Sequence, residues 1–330
     1  MSSRSVARIA SMLLLFVVSP AMGAGALPEP VEKTEYAARR KALAGKLRQD
    51  LKPGGLGVFV VRSAPEQDMA TFRQESNLYY LTGTEIPGSV LLLAFTRAAG
   101  EGKTIGADGF AEYFYLPDRD VRQEKWTGPK PGPGGLDKST LQPDAERRAT
   151  MDLLGFAAPP PGEFPPRRWP VGPLEQLSSF PRQLGGFLSE ADVLFFGADA
   201  GVAGEPISGD LAFLNDLRAR YPDLSIEDPR KALARLRMVK SPAEIRQIRR
   251  AVEITCKAFE DALPAARPGA AEFEVQAEVE RRFTREGARR PAYPSIVGSG
   301  PNSCVLHYDA SERTMLEGDL LLMDVGAEFR

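Results

Sequence analysis

Histidine is nearly absent from this 330-residue sequence: His307 is the only one. A metal centre that needs two imidazoles is therefore excluded within these residues. Cysteine is almost as scarce. Cys256 and Cys304 can build neither a disulfide framework nor a cysteine-rich zinc module. An excess of one charge is missing too, since 42 basic side chains face 44 acidic ones for a formal net charge of −2. That leaves no clustered basic surplus for nucleic acid. No apolar run approaches the ~20 residues that span a bilayer. What is present is ordinary for a globular protein, with 43% hydrophobic and 26% charged residues. The length allows about two domains with real cores.

The N-terminus has the order of a secretory signal. Arg4 and Arg8 precede an apolar stretch at 12–18, Pro20 follows, and Ala24-Gly25-Ala26 offers a small-residue cleavage pattern. A cleaved signal over 1–26 predicts a periplasmic or secreted protein with no stable membrane anchor; an uncleaved anchor is the alternative. Export would permit a Cys256–Cys304 disulfide, whose geometry spacing cannot supply. The expectation is two buried, unpaired thiols.

Along the chain, Tyr36, Leu43, Leu47 and Leu51 mark one face of a helix within 32–51. Short apolar runs at 56–61, 90–95, 113–116 and 193–196 read as strands, with a helix at 211–217. The alternation predicts an α/β domain over 27–236. Stretches 127–135 and 159–173, dense in glycine and proline, read as surface loops of that domain, the second also as an alternative boundary. A second domain is predicted over 237–330. Ser241-Pro242-Ala243-Glu244 starts a helix as a capping box with proline at its first position. Ile245, Ile248, Val252 and Phe259 are expected to form its apolar face, and the basic clusters 246–250 and 281–290 to be solvated. Val275, Val279 and Phe283 define a second helix over about 271–286, stopped by Gly287. Strands are expected at 295–297 and 320–325, the latter introduced by Gly318-Asp319.

Asp324 is the most informative residue. It interrupts the apolar run Leu320-Leu321-Leu322-Met323, and a strand apolar on both faces is normally buried. A carboxylate there costs several kcal/mol unless a cation or strong donors compensate, and oxygen suits hard or borderline divalent ions. An exposed aspartate at a strand end is the competing reading. His307 follows the glycine-bearing Gly298-Ser299-Gly300, which lacks the Gly-Lys-Ser/Thr of a phosphate loop. A Cys304–His307 thiol–imidazole pair has only a three-residue spacing in its favour.

Together these segments resemble the Xaa-Pro aminopeptidase (aminopeptidase P) group of the pita-bread metallopeptidase and creatinase family. The resemblance rests on Asn77-Leu78-Tyr79-Tyr80-Leu81-Thr82-Gly83, Pro117-Asp118-Arg119-Asp120 and Glu124-Lys125-Trp126-Thr127-Gly128. It continues through Leu236-Arg237-Met238-Val239-Lys240-Ser241-Pro242-Ala243-Glu244-Ile245. Its strongest block runs from Tyr293 through Ile296-Val297-Gly298-Ser299-Gly300 and Leu306-His307-Tyr308 to Met323-Asp324-Val325-Gly326-Ala327-Glu328-Phe329. The resemblance implies an N-terminal creatinase-like α/β domain followed by the first part of a pita-bread catalytic domain. It also implies a metal-dependent exopeptidase that releases the first residue of peptides with proline second. In such enzymes two divalent ions, usually manganese, sit on two Asp, one His and two Glu, and metal-activated water attacks the scissile carbonyl.

Residue by residue, Asp324 matches the first of those five ligands. His307 matches a histidine that donates to the substrate carbonyl rather than binding metal, and Tyr293 a tyrosine lining the same pocket. Trp126 matches a tryptophan that closes a neighbouring subunit's site, which implies a homo-oligomer, although Pro129-Lys130-Pro131-Gly132 departs from the family pattern. The second aspartate would be expected about eleven residues after Asp324, beyond Arg330. The expectation is a fragment that is inactive by itself. Two alternatives stay open: an Xaa-Pro dipeptidase (prolidase), and a non-catalytic module for interaction or oligomerisation.

Overall fold

The computed structural model describes residues 30–65, 72–97, 105, 108–134, 144–156, 173–199, 201 and 206–329. The proposed signal at 1–26 and nearly all of the proline-dense stretch 159–173 lie outside the described residues. One compact unit is Val31–Ser241, and a second holds Pro242–Arg330.

The first unit runs α1 (Lys33–Leu47), β1 (Leu56–Arg62), α2 (Ser76–Thr82), β2 (Val90–Thr96), β3 (Phe110–Leu116), α3 (Glu124–Thr127), α4 (Ala145–Leu154), β4 (Leu174–Gln176), α5 (Phe180–Leu188), β5 (Val193–Phe195), α6 (Gly209–Arg220), β6 (Ser225–Glu227) and α7 (Arg230–Met238). Its strands form a six-stranded sheet in the order β4-β3-β2-β1-β5-β6. The centre, β1–β2–β3, is antiparallel; β4 joins β3, β5 joins β1 and β6 joins β5 in parallel. Strand alternation sends Phe59, Leu91, Leu93 and Phe95 into one core with α1, α2 and α4. Val58, Val60, Leu92 and Ala94 enter the other with α5 and α6. Burial on both faces explains why β1 and β2 are unbroken apolar runs. Gly83 ends α2 with φ 68°, where a Cβ would lie 2.3 Å from the Tyr36 ring, so no other residue fits there.

The second unit holds α8 (Pro242–Ala262), α9 (Glu272–Arg285), β7 (Arg290–Pro291), β8 (Ile296–Ser299), β9 (Leu321–Asp324) and β10 (Ala327–Glu328). β8 pairs antiparallel with β9, and β7 with β10. Its core joins Ile254, Ala258 and Ala262 of α8 to Val275, Val279 and Phe283 of α9, with Val297 and Val325.

Four expectations are corrected here. Ile245, Ile248 and Val252 are 40 to 54% exposed, while Ala243, Gln247, Arg250, Ile254, Ala258 and Ala262 form the buried row. Three alanines along that row need little room between packed helices, and Ile245, Ile248 and Val252 fall on the opposite side. Arg250, expected in solvent, is buried because Glu286 accepts from it at 2.6 Å. Cys256 and Cys304 are free but exposed, not buried. Among the described residues β9 is covered on one side only, so Leu322 and Asp324 are exposed while Leu321 and Met323 are half-buried. No helix of the described residues is long and apolar enough to cross a membrane.

Candidate functional site

The β8–β9 hairpin sets the position of Asp324, which lies opposite Ile296 while Ser299 lies opposite Leu321. Tyr293 stands three residues before Ile296, and its hydroxyl donates to Asp324 Oδ1 at 2.6 Å. That hydrogen bond, with smaller contributions from burial and the carboxylate's charge, pushes the hydroxyl from 10.0 up to about 12. Tyr293 therefore remains a donor throughout the neutral range. Gly326 permits the approach, since a Cβ there would meet the Tyr293 ring at 3.3 Å.

His307 lies on the loop between β8 and β9, after a 3-10 turn at Gly300–Cys304, and is exposed. Among the described residues no hydrogen bond joins it to Tyr293 or Asp324. The stems of its loop converge instead on Glu272, the first residue of α9, which is fully buried. Glu272 Oε1 accepts from the Ser299 amide at 2.6 Å, Ser299 Oγ at 2.7 Å and Asn302 Nδ2 at 3.3 Å. Its Oε2 accepts from the Tyr308 hydroxyl at 2.7 Å and the Arg313 amide at 3.1 Å. Burial alone would raise this carboxyl, but the bonds from Ser299, Tyr308 and the Ser299 and Arg313 amides outweigh it and hold it below the ordinary glutamate value. Arg313 continues the network to Ser299 Oγ at 2.8 Å and to Asp319 at 2.5 Å. Sequence reading missed Glu272. Its one local signal is an acid at a helix start, favoured there by the helix dipole; its partners lie 27 to 41 residues away.

Trp126 belongs to the first unit, on the short α3, and is 90% exposed. Glu124 accepts twice from Arg119, at 2.6 and 2.5 Å, and Asp120 Oδ1 accepts from the Arg122 and Gln123 amides. The first of these bonds holds the Glu124 carboxyl below its ordinary value. The helix is thus pinned at its start while the indole projects into solvent.

Among the described residues no group of three or more His, Cys, Asp or Glu could hold a metal ion. Asp324 is suited to be one oxygen ligand, being exposed and oriented by Tyr293, but one carboxylate does not make a metal centre. Nor does its burial call for a cation. The structure thus brings Tyr293 and Asp324 together, fixes the stems of the His307 loop nearby in the same unit, and holds Trp126 in the other unit.

Comparison with known proteins adds the remaining observations. Residues 36–149 match the family model for the aminopeptidase P N-terminal domain, and residues 246–330 that for metallopeptidase family M24. The Xaa-Pro aminopeptidase of Escherichia coli K12 is 30% identical over 315 residues, which are 91% of this chain and 60% of that protein. Human Xaa-Pro aminopeptidase 3 is 25% identical over 311 residues, 92% of this chain and 54% of that protein. Zinc-substituted E. coli aminopeptidase P in complex with product has a similar fold, with a TM-score of 0.66 at 29% identity over 91% of this chain and 60% of that one. The chain spans 60% or less of the length of these relatives. With residues 36–149 matching an aminopeptidase P N-terminal domain and residues 246–330 matching part of a metallopeptidase M24 domain, in that order, the chain is similar to the aminopeptidase P group of the pita-bread metallopeptidase family.

Proposed function

We propose that the protein is a metal-dependent Xaa-Pro aminopeptidase, which removes the first residue of peptides whose second residue is proline. The observation that carries this reading is the exposed Asp324 carboxylate, held by Tyr293 at 2.6 Å at the position where the resemblance asks for the first metal ligand. Divalent metal, with manganese the expected pair of ions, would supply an activated water and a Lewis acid. Asp324 contributes one oxygen ligand and Tyr293 fixes its rotamer. His307, without a hydrogen-bond partner among the described residues, donates to the substrate carbonyl, and Trp126 reaches toward a neighbouring copy in a homo-oligomer. The segment 1–26 directs export to the periplasm or exterior. The 330 residues by themselves supply one of five expected ligands and are expected to be inactive.

The test uses the protein as its gene encodes it, purified and assayed for bound manganese and for free arginine released from an Arg-Pro-Pro peptide. Metal-dependent release of the first residue supports the reading. Hydrolysis of Xaa-Pro dipeptides with no attack on longer peptides indicates a dipeptidase instead. Absence of both metal and hydrolysis sinks the enzyme reading in favour of a non-catalytic module.

A further inference from the structure

We propose that Glu272 is the positioning residue for His307, a buried carboxylate whose five directed bonds fix the loop that presents the imidazole. A 0%-exposed glutamate is expensive unless it is fully bonded, and an apolar side chain would fill the same volume without that cost. Direction is what the carboxylate adds. Oε1 takes the end of β8 and the following turn, through Ser299 and Asn302. Oε2 takes Tyr308, which adjoins His307, and the returning stem at Arg313. The Glu272 amide donates in turn to the Arg313 carbonyl at 3.0 Å, and Asn302 Nδ2 also donates to the Tyr308 hydroxyl at 2.9 Å.

One side chain therefore grips both stems of the loop and the residue beside its imidazole. Ser311 within the loop is buried with φ 49°, a conformation rare for a residue with a Cβ and tolerated only where its surroundings dictate it. His307 is exposed and bonded to nothing among the described residues, so its direction is set by its backbone. The backbone is set by Glu272.

The catalytic consequence rests on the Xaa-Pro peptidase reading, whereas the positioning itself does not. Because His307 is the only histidine, the untagged 330-residue protein labelled with 15N-histidine should give a single backbone amide cross-peak by NMR. We expect that peak to be sharp and displaced from the free-chain position. In Glu272→Gln the incoming amide turns donors toward donors, and the peak should broaden or move to the free position. Val279→Ala, a buried change further along α9, should lower the melting temperature and leave the peak in place. An unmoved peak in Glu272→Gln, or an equal movement in both variants, overturns the proposal.

If Glu272→Gln does not fold, Tyr308→Phe decides. Loss of one donor should move the peak part of the way, and an unchanged peak overturns the proposal. In the protein as its gene encodes it, Glu272→Gln should lower kcat by roughly tenfold or more with KM within about twofold and metal content unchanged. Metal loss as complete as in Asp324→Ala overturns the positioning role. Absence of Xaa-Pro hydrolysis in the unsubstituted protein removes the enzyme reading and leaves the NMR result standing.

Discussion

Tyr293, Asp324 and His307 share a unit, and the proposed function gives them different jobs that single substitutions separate. If Asp324 is the oxygen ligand of the proposed function, Asp324→Ala in the protein as its gene encodes it should lose bound metal and Xaa-Pro cleavage together. Tyr293→Phe keeps the ligand and removes only the hydroxyl that orients it. Loss of such an outer partner typically costs about 10–100-fold in metal affinity, measurable by competition with a chromophoric chelator. His307→Ala should lower turnover with metal content unchanged, and metal loss would show that the imidazole is a ligand. Exposure also predicts that Cys256 and Cys304 both react with a thiol reagent in the native protein. Release of thiols only on denaturation would contradict their placement.

Between elements, the first unit depends on a buried cation. Arg40 on α1 is fully buried, donating to both carboxylate oxygens of Glu112 on β3 at 2.7 and 3.2 Å and to the Leu81 carbonyl at 2.9 Å. Its guanidinium also lies 4.5 Å from the centre of the Phe156 ring. Arg40→Ala should destabilise this unit by about 3–5 kcal/mol, read from the urea midpoint, because a carboxylate is left without its cation. A smaller loss in the Arg40→Met, Glu112→Leu double variant would confirm that the cost lies in the orphaned charge. None of this could be read from the sequence, where Arg40 stands beside Arg39 in a helix with five other charged residues. Strands β1 and β2 were legible because both faces are buried and positions 56–61 and 90–95 are all apolar or small. The face of α8 was not: hydropathy favours Ile245, Ile248 and Val252, but close helix packing selects the alanine row. Asp324 was found for a related reason and with the wrong surroundings. An apolar run signals a buried strand, yet only one side of β9 is covered among the described residues.

Across the whole molecule, acid should act on the second unit through identifiable groups. Glu272, Asp261 and Glu286 all have carboxyls held below their ordinary values: Glu272 by the bonds that outweigh its burial, Asp261 chiefly by Arg282 and Glu286 chiefly by Arg250. Such groups stabilise the fold above their unfolded values of about 4 and lose that contribution as pH falls through the lowered folded values. Amide exchange in α8 and α9 should therefore accelerate below about pH 4, and unchanged protection there would show that these pairs contribute little. Motifs local in sequence singled out Tyr293, His307, Trp126 and Asp324, and of these the structure joins Tyr293 to Asp324. Glu272 was hidden because its environment is assembled from residues distant in sequence.

The first unit's sheet also sets a schedule. The β1–β5 edge is held by the Leu56 amide donating to Asp192, a contact spanning 136 residues. At a synthesis rate of about 5–20 residues per second, β1 must wait on the order of ten seconds for its parallel partner to leave the ribosome. Through that interval the nascent β1–β2–β3 meander has its apolar surface unsealed, and a chaperone that holds unfinished chains should be needed most then.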